Sequence, residues 1–155
     1  MGPARPQSPV IRVVLDTNQL VSALLSPGGP AFEILKACGI IGEKKYELFL
    51  SPAVLREFRR VLSYPRIKKA LAWPEDKIDI FVTLLSDIAH VVEDRGGERI
   101  VRDDPDDDKF FHLAVIAEAR YIVSRDSHLL SVKEYQGVRV LRPEVFLSAL
   151  RKGVL

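Results

Sequence analysis

The sequence predicts an α/β fold in which helices cover both faces of a parallel sheet. Short apolar runs rich in β-branched residues alternate along the chain with longer segments of helical periodicity, the pattern typical of such sheets. Two of these runs lead into an aspartate, Asp16 directly after the first and Asp126 shortly after a later one. Because sites in these folds form beyond the carboxyl ends of the strands, we expect both carboxylates at one edge of the sheet.

Local signals predict where the elements begin and end. The first strand, at 10–15, is followed by a helix at 19–25, which the Ser-Pro-Gly-Gly-Pro segment ends. Ser51 and Pro52 are residue types preferred at the N-cap and first position of a helix, which we predict to continue to residue 62. The remaining predicted elements are helices at 31–38, 74–87, 106–119 and 143–150 and strands at 46–50, 88–92, 121–123 and 138–141.

The composition indicates a single globular domain. The chain has 155 residues, 47% hydrophobic and 28% charged, which excludes disorder and suits one core. We place the domain at 10–150, between a flexible tail at 1–9 and a short tail at 151–155. The apolar runs fall short of the roughly 20 residues of a membrane helix, and no apolar leader is present, so we expect a cytoplasmic protein without membrane contact. The single cysteine, Cys38, excludes an internal disulfide and a cysteine-rich metal site.

Charge is distributed unevenly along the chain. Five of the six residues 103–108 are aspartates. If these five and Asp16, Glu57 and Asp126 form one acidic locality, the rest of the chain carries thirteen acids against 23 basic residues. An acidic cluster on an otherwise basic protein is typical of a metal-dependent enzyme that acts on a polyanion. Taken alone, the acidic run and the basic stretch at 56–69 are equally consistent with solvated surfaces.

Helical spacing predicts that Glu57 faces inward. It lies three residues after Val54 and four before Val61, on the face that these valines would bury. A carboxylate on an apolar face is costly unless it has a partner. Glu57 is therefore a candidate for a functional site.

The same reasoning ranks the aspartates of the acidic run. In a regular helix that begins at residue 106, Asp107 lies on the side of Phe111, and Asp104 is the next nearest to that side. Asp106 and Asp108 project more to the sides. Asp107 is thus the acid of this run expected to point inward.

Several carboxylates at one edge of the sheet require a counter-charge. At about 5 Å and an effective dielectric constant of about 20, each ionised pair repels by roughly 3 kcal/mol. Protons or a hard cation must relieve that repulsion, and oxygen ligands without a histidine cluster favour Mg²⁺ or Mn²⁺. Such ions activate water and neutralise charge on a phosphoryl group. We place the three histidines at the surface or its boundary: His90, His112 and His128.

Four blocks of the chain, in order, resemble the motifs of PIN-domain nucleases. They are Val-Val-Leu-Asp-Thr-Asn at 13–18, Ser51-Pro52 with Glu57, Asp-Pro-Asp-Asp-Asp-Lys-Phe at 104–110, and Ile-Val-Ser-Arg-Asp at 122–126. The resemblance implies a PIN-like three-layer α/β/α fold with a central parallel sheet of four to five strands.

The resemblance also implies roles for individual residues. The catalytic and metal-binding quartet would be Asp16, Glu57, Asp107 and Asp126. Asp104 would be an auxiliary metal ligand, and Asn18 and Ser124 would orient ligands or substrate. Arg125 departs from the family pattern, where glycine is frequent, and adds a positive charge beside the site. Asp108 stands where asparagine is frequent, which leaves the choice of third ligand open among Asp104, Asp107 and Asp108.

The same resemblance implies an Mg²⁺- or Mn²⁺-dependent endoribonuclease, which we expect to leave 5′-phosphate and 3′-hydroxyl ends. Residues 140–147 resemble the VapC-like toxins of toxin–antitoxin pairs, which implies an antitoxin partner and self-association into a homo-oligomer. One alternative is a non-catalytic PIN module that binds RNA or protein. Another, an aspartate-based phosphatase, is disfavoured because its chemistry needs an acid at the position of Asn18.

Overall fold

A computed structural model describes residues 11–155, and its centre is a six-stranded sheet. The strands are β1 (Arg12–Leu15), β2 (Glu47–Leu50), β3 (His90–Val91), β4 (Tyr121–Val123), β5 (Glu134–Tyr135) and β6 (Val138–Leu141). Their order is β3-β2-β1-β4-β6-β5, and all pairs are parallel except β5 with β6. The predicted tail at 1–9 and the first residue of the predicted strand at 10–15 lie outside the described residues.

In the described part of the chain, eight α-helices surround the sheet. They are α1 (Thr17–Leu25), α2 (Pro30–Leu35), α3 (Pro52–Leu62), α4 (Pro65–Leu71), α5 (Glu75–Ile88), α6 (Asp108–Ile116), α7 (Ser127–Val132) and α8 (Pro143–Lys152). A π-helical turn, Lys36–Ile40, extends α2, and a 3₁₀ turn, Pro105–Asp107, precedes α6. Within residues 11–155, no helix combines the length and apolarity needed to cross a membrane.

The layers follow from burial and from the handedness of the connections. Val13, Val14 and Leu15 of β1 are almost completely buried, so both faces of the central strand are covered. The chain moves outward from β1 through β2 to β3 and then returns across the sheet to β4. Because connections between parallel strands are right-handed, the reversal of direction places α6 on the face opposite α1 and α3. In agreement, α6 contacts β1, β2, β4 and β6, whereas α1 contacts α2 and α3. This is the predicted three-layer α/β/α arrangement.

The strand order creates one position at which the connections diverge. From β1 the chain turns to one side of the sheet, and from β4 it turns to the other. A crevice forms at such a switch point, beyond the carboxyl ends of the two adjacent strands. Leu15 is paired in register with Val123, so the residues that follow them, Asp16 and Ser124, are neighbours there.

The structure adds three elements to those predicted. After Tyr64, Pro65 takes the first position of a new helix, α4, instead of only ending α3. The helix α7 is too short to show periodicity, and the two-residue strand β5 is joined to β6 by a tight turn. Both turn residues, Gln136 and Gly137, have positive φ, as a two-residue hairpin requires. The sheet thus has six strands where four to five were expected.

The start of α6 also differs from the prediction, with a consequence for its aspartates. The regular helix begins at Asp108, because Pro105–Asp107 form a tighter 3₁₀ turn that shifts the angular positions of these residues. Asp108, expected to project sideways, is in fact buried. Its Oδ1 accepts hydrogen bonds from the backbone N–H groups of Ile100 and Val101, at 3.2 and 2.7 Å. Asp108 therefore anchors the chain segment that precedes the acidic run.

Candidate metal centre

Asp16 is the most deeply buried acid of the site, at the end of β1. It is the N-cap of α1, and its Oδ1 accepts a hydrogen bond from the backbone N–H of Gln19 at 2.8 Å. Its Oδ2 accepts a hydrogen bond from the Ser124 hydroxyl. Burial raises the pKa of Asp16 to about 6 in spite of these hydrogen bonds, and the charges of Asp126 and Glu57 contribute to the rise.

Asp126 follows β4 and lies beside Asp16. Its backbone N–H donates to the Ser124 hydroxyl oxygen at 2.9 Å, so that Ser124 links the two acids. As the N-cap of α7, Asp126 accepts a hydrogen bond at Oδ1 from the backbone N–H of His128 at 2.7 Å. The Ser124 hydroxyl thus fixes the relative position of the chain segments that follow β1 and β4.

Asp104 and Asp107 come from the 3₁₀ turn before α6. Asp104 caps this turn, and the Oδ2 atom of Asp107 is buried without a hydrogen-bond partner among the described residues. Burial, followed by the charges of Asp104 and Asp126, raises the pKa of Asp107 to about 7, whereas Lys109 lowers it. Asp16 also raises this pKa, which places the acids of the three segments within electrostatic reach of one another.

The donor set fits a divalent cation. One carboxylate oxygen each from Asp104 and Asp107 and a ring nitrogen of His128 lie within 4.8 Å of one another. Oδ2 of Asp107, which accepts no hydrogen bond from residues 11–155, can serve as a ligand atom. A cation there would also relieve the repulsion that raises the pKa of Asp107. Asp16, Glu57 and Asp126 stand outside this group of three. The charges of Asp126 and Asp16 act on Asp107, and the charge of Glu57 acts on Asp16.

Glu57 lies on α3 and faces an ammonium group. Its Oε2 is 2.5 Å from Nζ of Lys109, which also donates to the backbone oxygen of Asp106 at 2.8 Å and lies 4.8 Å from the centre of the Phe110 ring. Glu57 is half-buried, as its position between Val54 and Val61 predicted. Lys109 therefore brings one positive charge of the chain itself into the acidic cluster.

Asn18 and Arg125, the remaining predicted site residues, lie at its periphery. Asn18 is exposed on the first turn of α1, one residue after the buried Thr17. The guanidinium of Arg125 donates to Oε1 of Glu144 on α8, and both side chains are about half exposed. The charge of Arg125 is thus compensated by Glu144.

Sequence reasoning did not assign His128 and Lys109 to this site. His128 is exposed, as expected for a surface histidine, yet it is a member of the candidate metal group. A sequence signal did exist: Asp126 is a good N-cap, and the second residue after an N-cap lies in the first turn of the helix, close to the capping carboxylate. The partner of Lys109 lies on another helix, so spacing alone could not identify it.

A cavity of about 440 Å³ lies beside the acids and shares Lys109 with them. It lies between the start of α3, the segment 93–99 and the start of α6, and its lining includes Arg56, Arg95 and Arg99. Two bases of the stretch at 56–69 do not line this cavity and instead pair with acids of α5. Arg59 is paired with Glu75 and Asp79 of α5 and Lys68 is paired with Glu75, so these two bases have structural partners.

The fold and the acidic cluster together define a nuclease-like α/β protein with a candidate metal centre. The family model described as PIN domain matches residues 12–128. MJ1680 of Methanocaldococcus jannaschii, which is described as uncharacterised, is 32% identical over 124 residues, covering 80% of this chain and 76% of that protein. The crystal structure of PAE2754 from Pyrobaculum aerophilum covers 92% of this chain and 90% of its own, with a TM-score of 0.56 and 15% identity, and shares its fold.

The chain therefore belongs to the PIN-domain family. PIN domains are generally nucleases and usually use a divalent metal, in agreement with the acidic cluster found here.

Proposed function

We propose that the protein is an Mg²⁺- or Mn²⁺-dependent endoribonuclease that hydrolyses RNA phosphodiester bonds. The observation that carries the proposal is Oδ2 of Asp107, which is buried and unpaired beside other carboxylates in the crevice between β1 and β4. A structural carboxylate would be paired with a hydrogen-bond donor. This atom is instead available to a cation.

The residues of the site would have different roles in the reaction. Asp104 and Asp107 would hold the cation, with Asp16, Glu57 and Asp126 supplying negative charge and positioning water for in-line attack. When bound, the divalent ion lowers the pKa of a water and neutralises charge on the phosphodiester. Arg56 and Arg95 of the adjacent cavity would contact the phosphates next to the scissile one.

The proposal is tested by cleavage of labelled single-stranded RNA by the purified protein, with Mg²⁺, with Mn²⁺ or with a chelator. We expect cleavage with a divalent ion, products with 5′-phosphate and 3′-hydroxyl ends, and a loss of at least about a hundredfold in Asp107→Asn. Asp87→Asn, which changes an exposed aspartate at the end of α5, is the matched control and is expected to cleave normally.

Two results would contradict the nuclease assignment. Full activity of Asp107→Asn would remove Asp107 from the site. RNA binding without cleavage, across metals and substrates, would favour the alternative of a non-catalytic PIN module. Parallel assays with single-stranded DNA test whether RNA is the preferred substrate.

We further propose that the nuclease acts as the toxin of a type II toxin–antitoxin pair and self-associates. The resemblance of residues 140–147 to the VapC-like subgroup supports this role. An antitoxin would cover the acidic crevice and bring a positive charge to its carboxylates. Expression of the protein should arrest growth, and co-expression of the product of a neighbouring small gene should relieve the arrest; normal growth at full expression of active nuclease would contradict the role.

A further inference from the structure

One imidazole faces three carboxylates at the open side of the site. A ring nitrogen of His128 lies within 4.8 Å of oxygens of both Asp104 and Asp107, and its Nδ1 is 3.7 Å from Oδ1 of Asp126. These acids come from two chain segments, the 3₁₀ turn before α6 and the N-cap of α7. The position of His128 is therefore a result of the tertiary fold.

The backbone of His128 is fixed, whereas its side chain is free to adjust. The hydrogen bond from its backbone N–H to Oδ1 of Asp126 holds the first turn of α7 against the site. The side chain is 48% exposed. Two ligands on opposite sides of an ion, each at about 2.1 Å, are about 4.2 Å apart. The three candidate ligand atoms lie within 4.8 Å of one another, close to that spacing.

We propose that His128 supplies a nitrogen ligand to the metal centre and makes it select a first-row transition-metal ion, such as Mn²⁺, over Mg²⁺. The proposal rests on the proposed metal-dependent function and specifies its metal. Mg²⁺ takes oxygen ligands and gives up its water reluctantly. Mn²⁺ also suits oxygen ligands but accepts a nitrogen ligand beside them, and the later first-row ions bind imidazole more strongly still. Two carboxylates and an imidazole thus form a mixed set that favours the transition-metal ion.

The test is calorimetric titration of the full-length wild-type protein and His128→Ala with Mn²⁺ and with Mg²⁺. We expect His128→Ala to weaken Mn²⁺ binding about tenfold or more and to change Mg²⁺ binding much less. Pulsed electron paramagnetic resonance of bound Mn²⁺ should show a nitrogen coupling in the wild type that is lost in His128→Ala. The matched control is His90→Ala, which removes an exposed histidine whose partner is Glu47 of β2 and should leave both properties unchanged.

The possible failures are distinguishable. A wild-type protein that binds neither ion would overturn both this inference and the proposed metal-dependent function. A wild-type protein that binds Mn²⁺ without a nitrogen coupling, or equal weakening of both ions in His128→Ala, would overturn the role of His128 alone. An unchanged thermal unfolding midpoint of His128→Ala in chelator would show that the substitution leaves the fold intact.

Discussion

At the scale of single residues, the site is defined by two carboxyls whose protonation the fold has changed. Burial is the main reason why the pKa values of Asp16 and Asp107 rise to about 6 and about 7. A carboxyl with a raised pKa binds its proton more tightly in the folded protein than in the unfolded chain. In the folded protein without a bound cation, Asp16 and Asp107 therefore keep their protons to a higher pH than ordinary aspartates do.

This property predicts how stability depends on pH. The contribution of the two carboxyls is complete below about pH 4, the ordinary aspartate range, and is lost as the pH rises through 6 and then 7. In chelator, we expect the thermal unfolding midpoint to fall between about pH 5 and about pH 8. Asp107→Asn should reduce this fall, because its amide does not ionise. A midpoint that stays constant or rises over this range would contradict the assignment.

At the scale of elements, the segment before the acidic run is held against α6 by side chains of that helix. Asp108 accepts the two backbone N–H groups of Ile100 and Val101, and its Oδ2 lies 3.3 Å from Nε of Arg99. His112, one turn later, is hydrogen-bonded to the backbone oxygen of Glu98 at 2.9 Å. Gly97 permits this close approach, since a Cβ there would come within 2.7 Å of the His112 ring. These contacts position one wall of the cavity beside the site.

We accordingly expect Asp108→Ala to lower the free energy of unfolding by about 2–3 kcal/mol. The substitution removes a charged acceptor and leaves the backbone N–H of the buried Val101 without a partner. Urea denaturation measures the change. Asp103→Ala, at an exposed position in the same acidic run, is the matched control and should alter stability by less than about 0.5 kcal/mol. Equal effects of the two substitutions would show that Asp108 is not an anchor.

At the scale of the whole molecule, the candidate metal centre joins segments that are far apart in the chain. Asp16 follows β1, Asp104 and Asp107 precede α6, and Asp126 and His128 follow β4. The pairing of β1 with β4 and the packing of α6 over both strands bring these segments together. An ion bound by Asp104, Asp107 and His128 would link the segment before α6 to the segment after β4 in the folded state only. Binding that occurs only in the folded state stabilises the whole domain.

We therefore expect Mn²⁺ at a hundredfold excess over its dissociation constant to stabilise the wild-type protein by about 2.7 kcal/mol, with removal by chelator reversing the effect. At a fixed Mn²⁺ concentration, the stabilisation should be larger near pH 8 than near pH 5, because protons that compete for Asp16 and Asp107 raise the dissociation constant of the ion. Thermal unfolding with and without the ion measures it. An equal stabilisation of Asp107→Asn would place the bound ion at another site.

Local signals in the sequence predicted most of the fold. Five of the six strands and six of the eight helices in the described residues were predicted from alternating apolar runs, the Ser51-Pro52 cap and proline breaks. These signals suffice because each depends on residues within one turn or one strand. The helix α4 was missed because Pro65 was interpreted only as the end of α3, and α7 and β5 were missed because they are too short to show periodicity. The start of α6 was misplaced because a 3₁₀ turn and a regular helix share the same residue preferences at Pro105–Asp107.

By itself, the sequence determined the alternation of strands and helices, the order of the acids along the chain and the position of Asp16 at the end of its strand. Only the tertiary structure decided that β1 and β4 are neighbours, that Lys109 faces Glu57 and that His128 faces Asp104 and Asp107. The physical reason is that a capping or periodic signal depends on residues within a few positions. A distance between side chains on different elements depends instead on strand pairing and on how the helices pack over the sheet.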